Sequence, residues 1–288
     1  MRISSLFDHK RTVLSFEVFP PKKTSPIETI YKTLDELKGL QPDFISVTYG
    51  AGGNAGDTVT CDIAASIKQK YGIEPLAHLT CVNDTRDEVE QVLQRLEQSG
   101  IENILALRGD SNPNIPPKNH FRYASELVEF IKARGGFHIS AACYPEGHIN
   151  AESLEEDISN LKKKVEAGAE HLISQLFFDN DYFYTFRDKV EVAGIRVPLE
   201  AGIMPVTNKA QIERMVTLCG ASLPSKFTKM MQRFEYSPEA LRDAGIAYAI
   251  DQIVDLISQG ADGIHLYTMN NPYIARKISE SISGLLKA

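Results

Sequence analysis

Apolar positions in this chain come in short runs, five to seven residues long, and each run ends abruptly in polar or charged residues. After each run comes a loop rich in Gly, Pro or Asn, and then a longer segment whose apolar residues recur at helical spacing. The clearest example is Asn103-Ile-Leu-Ala-Leu107, which turns polar at Arg108-Gly109-Asp110 and passes through a Pro/Asn-rich loop to Lys118. Read in this way, the pattern predicts strands over residues 13–19, 44–48, 75–79, 103–107, 137–142, 171–177, 196–201 and 263–267. It predicts helices over 26–38, 59–71, 123–133, 154–167 and 238–259, with another from Asp179 or Asn180 to residue 193 and one from Asn208 to residue 218. A long helix capped by Asn83 or Asp84 ends near Gly100, and a last one capped by Asn270 and Asn271 runs to Leu286. Residues 1–12 read as a polar lead-in or short helix, and 221–236 as an inserted short helix.

Eight strand–helix pairs in one chain imply an α/β fold, a (β/α)8 TIM barrel spanning residues 1–288 as a single domain. The strands show no clean alternation, as in a parallel sheet covered on both sides. A doubly wound sheet would place a glycine fingerprint after its first strand, which instead ends in Pro20-Pro21. A two-domain chain would need a polar linker, but the loose region 111–119 lies inside the repeat. No appended domain is expected beyond the eighth unit.

Of the 288 residues, 43% are hydrophobic and 24% charged, enough for one large core. A formal net charge of -7 argues against a nucleic-acid surface but leaves room for a local basic pocket. Cys61, Cys81, Cys143 and Cys219 are widely spaced with no CxxC pair, which suits a reducing compartment. With no signal-like leader and no long apolar run, the expectation is a soluble cytoplasmic protein without a membrane segment.

In such a barrel the C-terminal strand ends share one cavity. The polar residues at these lips are Glu17, Thr48, His78 with Thr80, Arg108 with Asp110, Tyr144 with His148, Gln175 and Tyr267. Glu17 lies in Phe16-Glu-Val-Phe19, where desolvation is expected to raise its pKa and suit it to general acid work; an ion pair to a neighbouring strand is the plainer role. Gly109 suggests a tight turn or the close approach of a flat ligand. Asp110 either caps the next segment or acts at the site, and Arg108 is its partner or part of a floor ion pair. Two carboxylates at one mouth also suit glycoside hydrolysis, which depends on a separation unknown at this stage. His78, Tyr144 and His148 form no metal-binding spacing and equally suit loop-holding roles. Gln175 can read a heterocycle edge or make a buried structural hydrogen bond. Asp157, Asn160, Lys163 and Lys164 share a face of one helix, either as a solvated stripe or as a cradle for ribose and diphosphate.

The blocks FEVFPPK (16–22), ISVTYG (45–50), HLTC (78–81), ILALRGD (104–110), AACYPEGH (141–148), SQLFFD (174–179), GIMPVTN (202–208) and HLYTMN (265–270), in this order, closely resemble methylenetetrahydrofolate reductases of the bacterial, catalytic-domain-only type. The resemblance covers nearly the whole chain. It implies a flavoprotein that holds FAD non-covalently, accepts hydride from NADH or NADPH, and in a second ping-pong step reduces 5,10-methylenetetrahydrofolate to 5-methyltetrahydrofolate. The family's general acid then falls on Glu17, and its aspartate near flavin and folate on Asp110. Flavin contacts fall on Thr48, His78, Arg108, Gly109, Asp110, Tyr123, Ala124, Tyr144, His148, Asp157, Asn160, Lys163 and Lys164. Folate or nucleotide contacts fall on Glu17, Asp110, Gln175, Gln211, Met215 and Tyr267. A homo-oligomer is also implied.

Three positions depart from the family pattern. Lys163-Lys164 stands where Arg-Lys is common, keeping the charge but losing a rigid fork. Met215 replaces a stacking aromatic, and Asn271 stands where an arginine beside the folate glutamate tail is expected. Two alternatives stay open: a related flavoprotein folate reductase fed by a partner redox protein, and a non-catalytic folate-binding barrel subunit.

Overall fold

The computed structural model describes residues 1–22, 24–49, 58–110 and 117–288, without the side chains of Gln211, Arg214 and Leu218. Eight parallel strands close into a barrel in sequence order. They are β1 Val13–Val18, β2 Phe44–Val47, β3 Glu74–Thr80, β4 Asn103–Leu107, β5 His138–Cys143, β6 His171–Ser174, β7 Leu199–Ile203 and β8 Gly263–Tyr267. Around them run α1 Glu28–Lys38, α2 Val59–Gln69, α3 Arg86–Gln98, α4 Ala124–Arg134, α5 Leu154–Ala167, α6 Asn180–Val192, α7 Lys209–Cys219, α8 Ser225–Phe234, α9 Pro238–Ser258 and α10 Pro272–Ile282. Among the described residues no helix is long and apolar enough to cross a membrane.

The strands do alternate, but the two faces carry different chemistry. One set of positions, including Leu14, Phe16, Val18, Ile45, Val47, Ile104, Ala106, Ile264 and Leu266, joins the apolar layer shared with the surrounding helices. The intervening positions face the lumen, where Val13, Phe44, Leu76, Leu105 and Ile173 form a small apolar plug with Ile3. Polar lumen residues lie among them: Ser15, Ser46, Asn103, Ser140, His171, Glu200 and His265 are all buried.

The N-terminal lead-in is a 3-10 turn, Ile3–Leu6, that stops the floor of the barrel. Its Ile3 N–H donates to Asn103 Oδ1 at 2.9 Å, and the Phe7 ring lies 5.0 Å from His171. Residues 51–56, read as a glycine-rich loop, fall outside the described residues, as do 111–116 of the loop after β4.

Several predicted boundaries move, each for a local reason. Thr85, not Asn83 or Asp84, caps α3, because its spacing to Glu88 closes a capping box: Glu88 N donates to Thr85 Oγ1 and Thr85 N to Glu88 Oε2. β6 ends at Ser174 rather than residue 177, since the Leu176 N–H donates to the Gln175 side chain, while Leu176 and Phe178 pack into a second apolar cluster with Met204, Phe227 and Met231. β7 starts at Leu199 rather than residue 196, because Pro198 has no N–H for a ladder, and it extends through Ile203. Asn271 alone caps α10, accepting from Ile274 N, while Asn270 exchanges two hydrogen bonds with the Phe19 backbone. That helix stops at Ile282, and Leu285–Lys287 forms a 3-10 turn.

Candidate active site

β1 and β8 pair with Glu17 opposite Tyr267, and β1 and β2 with Glu17 opposite Ser46, so Glu17 projects into the lumen one step below the lip. Its Oε2 lies 3.6 Å from His78 Nε2 and 3.7 Å from His265 Nε2. No Lys or Arg pairs with it among the described residues. Burial lowers His78 to about 4, with the nearby Glu17 charge acting in the opposite sense, so His78 is a neutral ring at pH 7.

Above Glu17 opens a cavity of about 720 Å³, within the range of cofactor and small-ligand sites of about 300–1,000 Å³. It brings together Glu17, Thr48, His78, Arg108, Gly109, Asp110, Tyr144, His148, Gln175, Met215 and Tyr267 from the sequence-based set. Gly109 has φ +84, and a Cβ there would meet Thr80 Cβ at 3.0 Å, so a glycine lets the chain turn after β4 and lie close to β3. Arg108 Nε donates weakly to the Gly109 carbonyl at 3.4 Å, and neither it nor Asp110 forms an ion pair among the described residues. Gln175 accepts from Leu176 N through Oε1 at 2.9 Å, so its amide nitrogen is the group left for a ligand. The Tyr267 hydroxyl donates to Ser174 O at 2.9 Å, leaving its ring as a wall.

The α5 face divides. Asp157 is buried, and its Oδ2 accepts from His148 N at 3.2 Å. Lys164 donates to Ala142 O at 2.9 Å and lies 5.9 Å from the Tyr144 ring centre. Burial lowers the Lys164 pKa and raises that of Asp157, and each opposes the shift of the other. These two side chains therefore brace the β5 lip and are not a solvated stripe. Lys163 is exposed and donates to Asn160 Oδ1 at 2.9 Å. Asp157, Asn160, Lys163 and Lys164 do not line the cavity; nor do Tyr123, which is 63% exposed before α4, and Ala124. The Gln211 side chain lies outside the described residues. Asn271 is engaged in capping α10.

Among the wall residues that sequence reasoning did not single out are Asn83, Tyr49, Met204 and Met269, with His265 below them. Asn83, expected as a helix cap, lines the cavity with a buried Oδ1 that has no hydrogen-bond partner among the described residues. Tyr49, Met204 and Met269 complete the apolar walls. His265 was visible only as part of a motif. An unpaired buried acceptor, flat apolar walls and a basic side (Arg108, with Lys164 behind Tyr144) fit a large planar cofactor with an anionic tail.

The sequence profile of the methylenetetrahydrofolate reductase family matches residues 2–283. A 5,10-methylenetetrahydrofolate reductase of Pectobacterium carotovorum subsp. carotovorum is 37% identical over 272 residues, covering 94% of this chain and 90% of its own. The enzyme of that name from Escherichia coli (strain K12) is 36% identical over 269 residues, covering 93% and 90%. Arabidopsis thaliana methylenetetrahydrofolate reductase (NADH) 1 is 34% identical and covers 93% of this chain but 48% of its own length. A solved structure from Clostridium thermocellum, described as binding two copies of 5-methyl-5,6,7,8-tetrahydrofolic acid, superposes with a TM-score of 0.69 over the whole chain at 13% identity, a likeness of fold alone. On the match of its sequence over nearly its full length, the chain belongs to the methylenetetrahydrofolate reductase family of enzymes.

Proposed function

We propose that this enzyme reduces 5,10-methylenetetrahydrofolate to 5-methyltetrahydrofolate at the C-terminal mouth of its barrel, using non-covalent FAD and NADH or NADPH in alternating turns. Family membership supports the folate reduction. The observation that carries the rest is the position of Glu17, a carboxyl at the bottom of a large cavity with neutral His78 beside it and Asp110 and Gln175 at the rim. When bound, the flavin stores two electrons, so that hydride from the nicotinamide nucleotide reaches the folate in a separate encounter.

A methylene carbon bridging two amines accepts hydride poorly until one C–N bond opens. Glu17 donates its proton to N10 as that bond breaks; the bonding pair stays on N10 and the methylene becomes a cationic N5-iminium. The Asp110 carboxylate stabilises this cation, and the Gln175 amide binds the pterin edge. Met215, Met204 and the Tyr267 ring form the apolar wall that accepts either flat substrate. For the cofactor, Thr48, His78, Asn83, Arg108, Gly109, Tyr144 and His148, all lining the cavity, would form the inner contacts. Outside the cavity lining, Asn160 and Lys163, with Tyr123 and Ala124 at the start of α4, would serve the ribose and diphosphate end, and Asp157 and Lys164 would shape it by bracing the β5 lip.

An anaerobic titration tests this in two halves. FAD-loaded protein is expected to bleach with NADH or NADPH and to regain its yellow colour with methylenetetrahydrofolate. Protein that takes up no FAD, or reduced protein that the folate leaves bleached, defeats the proposal.

A further inference from the structure

Beneath Glu17 the lumen holds a continuous polar chain that the proposed reaction does not use. His265 Nδ1 lies 2.6 Å from Ser15 Oγ, Ser15 donates to Glu200 Oε1 at 3.0 Å, Glu200 Oε2 lies 3.2 Å from His171 Nε2, and His171 Nδ1 lies 2.9 Å from Ser140 Oγ. All five side chains are fully buried. Gly263 makes the space: a Cβ there would fall 2.6 Å from Glu200 Cγ.

Among the described residues, Glu200 Oε2 and His171 Nε2 both lack a hydrogen-bond partner when neither carries a proton, yet they face each other. One proton placed between them satisfies both atoms. Two readings compete, a carboxylate–imidazolium pair and a neutral acid donating to a neutral ring. Burial decides for the second: it raises Glu200 to about 8 and lowers His171 to about 3. Toward Glu200 face Ser15 from β1, His171 from β6, and Gly263 and His265 from β8; His265 and the Ser15 hydrogen bond oppose the upward shift, and the Asp43 and Asp262 carboxylates add to it.

The Ser15 hydroxyl donating to Glu200 Oε1 sets the protons up the chain. With Glu200 Oε2–H given to His171, Oε1 is left as an acceptor for the Ser15 hydroxyl. Ser15 Oγ must then accept, so His265 carries its proton on Nδ1. The bare His265 Nε2 accepts from Ser46 Oγ at 3.4 Å and faces Glu17 Oε2 at 3.7 Å. We propose that Glu200 is a positioning residue for the acid: through Ser15 it holds His265 in the Nδ1–H tautomer and so keeps the His265 Nε2 lone pair turned toward Glu17, the proton donor of the folate step. This rests on the acid role of Glu17 proposed above.

The test uses 15N-histidine-labelled full-length protein, with His265 assigned by His265→Asn, together with both half-reactions. Glu200→Gln keeps an acceptor for Ser15 and a donor for His171, so it retains the Nδ1–H signature and folate reduction within about twofold of the parent. Glu200→Leu and Ser15→Ala lose that signature and slow the folate half-reaction about tenfold, while nucleotide-driven bleaching stays unchanged. Ser15→Ala removes the same link with a small change, so the test survives if Glu200→Leu fails to fold. An Nε2–H ring in the parent, an unaltered tautomer in Ser15→Ala, or a Glu200→Gln protein as slow as Ser15→Ala overturns the inference. If the parent reduces no folate, the proposed function fails, while the tautomer still judges the role of Glu200.

Discussion

The mouth and the floor of this barrel are lined by the same strands but treat their polar groups in opposite ways. On the floor, Asn103 is saturated by the plug and the β3 backbone, and Ser15, Glu200, His171 and Ser140 engage one another. Among the described residues at the mouth, Asp110 forms no ion pair, Asn83 Oδ1 is buried without a partner, and Gln175 has engaged its oxygen but not its nitrogen. Leaving a buried polar group unpaired costs about 1–3 kcal/mol, a cost a protein bears where a ligand is to supply the partner. His138, also buried on the floor, has neither ring nitrogen hydrogen-bonded among the described residues, so the state of pairing separates the two ends by degree and not absolutely. His78, beside Glu17 in the cavity wall, and His265, below it, sit at the boundary.

The largest expected effect tests the mouth. Glu17→Gln removes the proton donor but little volume, so the folate half-reaction should slow by about 10²- to 10⁴-fold in stopped-flow reoxidation, while bleaching by NADH or NADPH changes little. Unchanged folate turnover would reduce Glu17 to a structural member of the lumen. Asp110→Asn is next. Losing an exposed charge near the cationic step should cost on the order of tenfold in the same assay, less at high salt, with the unfolding midpoint in urea unmoved. If Asp110→Asn destabilises the fold instead, the mouth is not the unpaired region described above.

The floor should respond in the opposite sense. Asn103→Ala leaves the buried Ile3 N–H without its acceptor, so stability should fall by about 1–3 kcal/mol in urea denaturation, with the rate per folded molecule retained. A variant with parental stability but slowed folate reduction would erase the distinction between the two ends.

How much of this the sequence reveals follows the same division. β4, α5 and β8 match their predicted bounds to the residue, because each begins and ends at an abrupt change of polarity or at a glycine. β6 and β7 do not match. The apolar run after Ser174 serves a second cluster over the rim rather than the ladder, and Pro198 delays β7, and neither effect shows in an apolar count. Most of the mouth could be listed from lip residues, since barrel topology gathers them. The floor was missed because the strands were read as uniformly apolar. Yet Ser15 and Glu17, Glu200, and His265 and Tyr267 all occupy the inward register, and that period of two was a signal present in the sequence. Asn83 was misassigned because Asn is a good helix cap, and only packing shows that Thr85 takes that role.

The smallest expected effect is the pH dependence of stability. His78, His138 and His171 are lowered by burial to about 4, 3 and 3 from an ordinary 6.5. The unfolded chain therefore binds more protons below pH 6.5, and stability present above that pH is lost as the pH falls toward 4 and 3. Glu200 has the opposite sign. Its folded value is raised from 4.5 to about 8, so its contribution is whole below pH 4.5 and is lost as the pH rises through 8. Between 4.5 and 6.5 the three rings outweigh the one acid, and above 6.5 only the acid still acts. Stability should therefore peak near pH 6.5 and decline by about 1–2 kcal/mol toward pH 8, one pKa unit corresponding to about 1.4 kcal/mol. Urea denaturation of the parent and of Glu200→Gln across this range gives the check. The amide variant should lose the alkaline decline and keep the acid one. A parent flat from pH 6.5 to 8 would mean that Glu200 is already charged at pH 6.5, and that the floor is held by an ion pair instead of a shared proton.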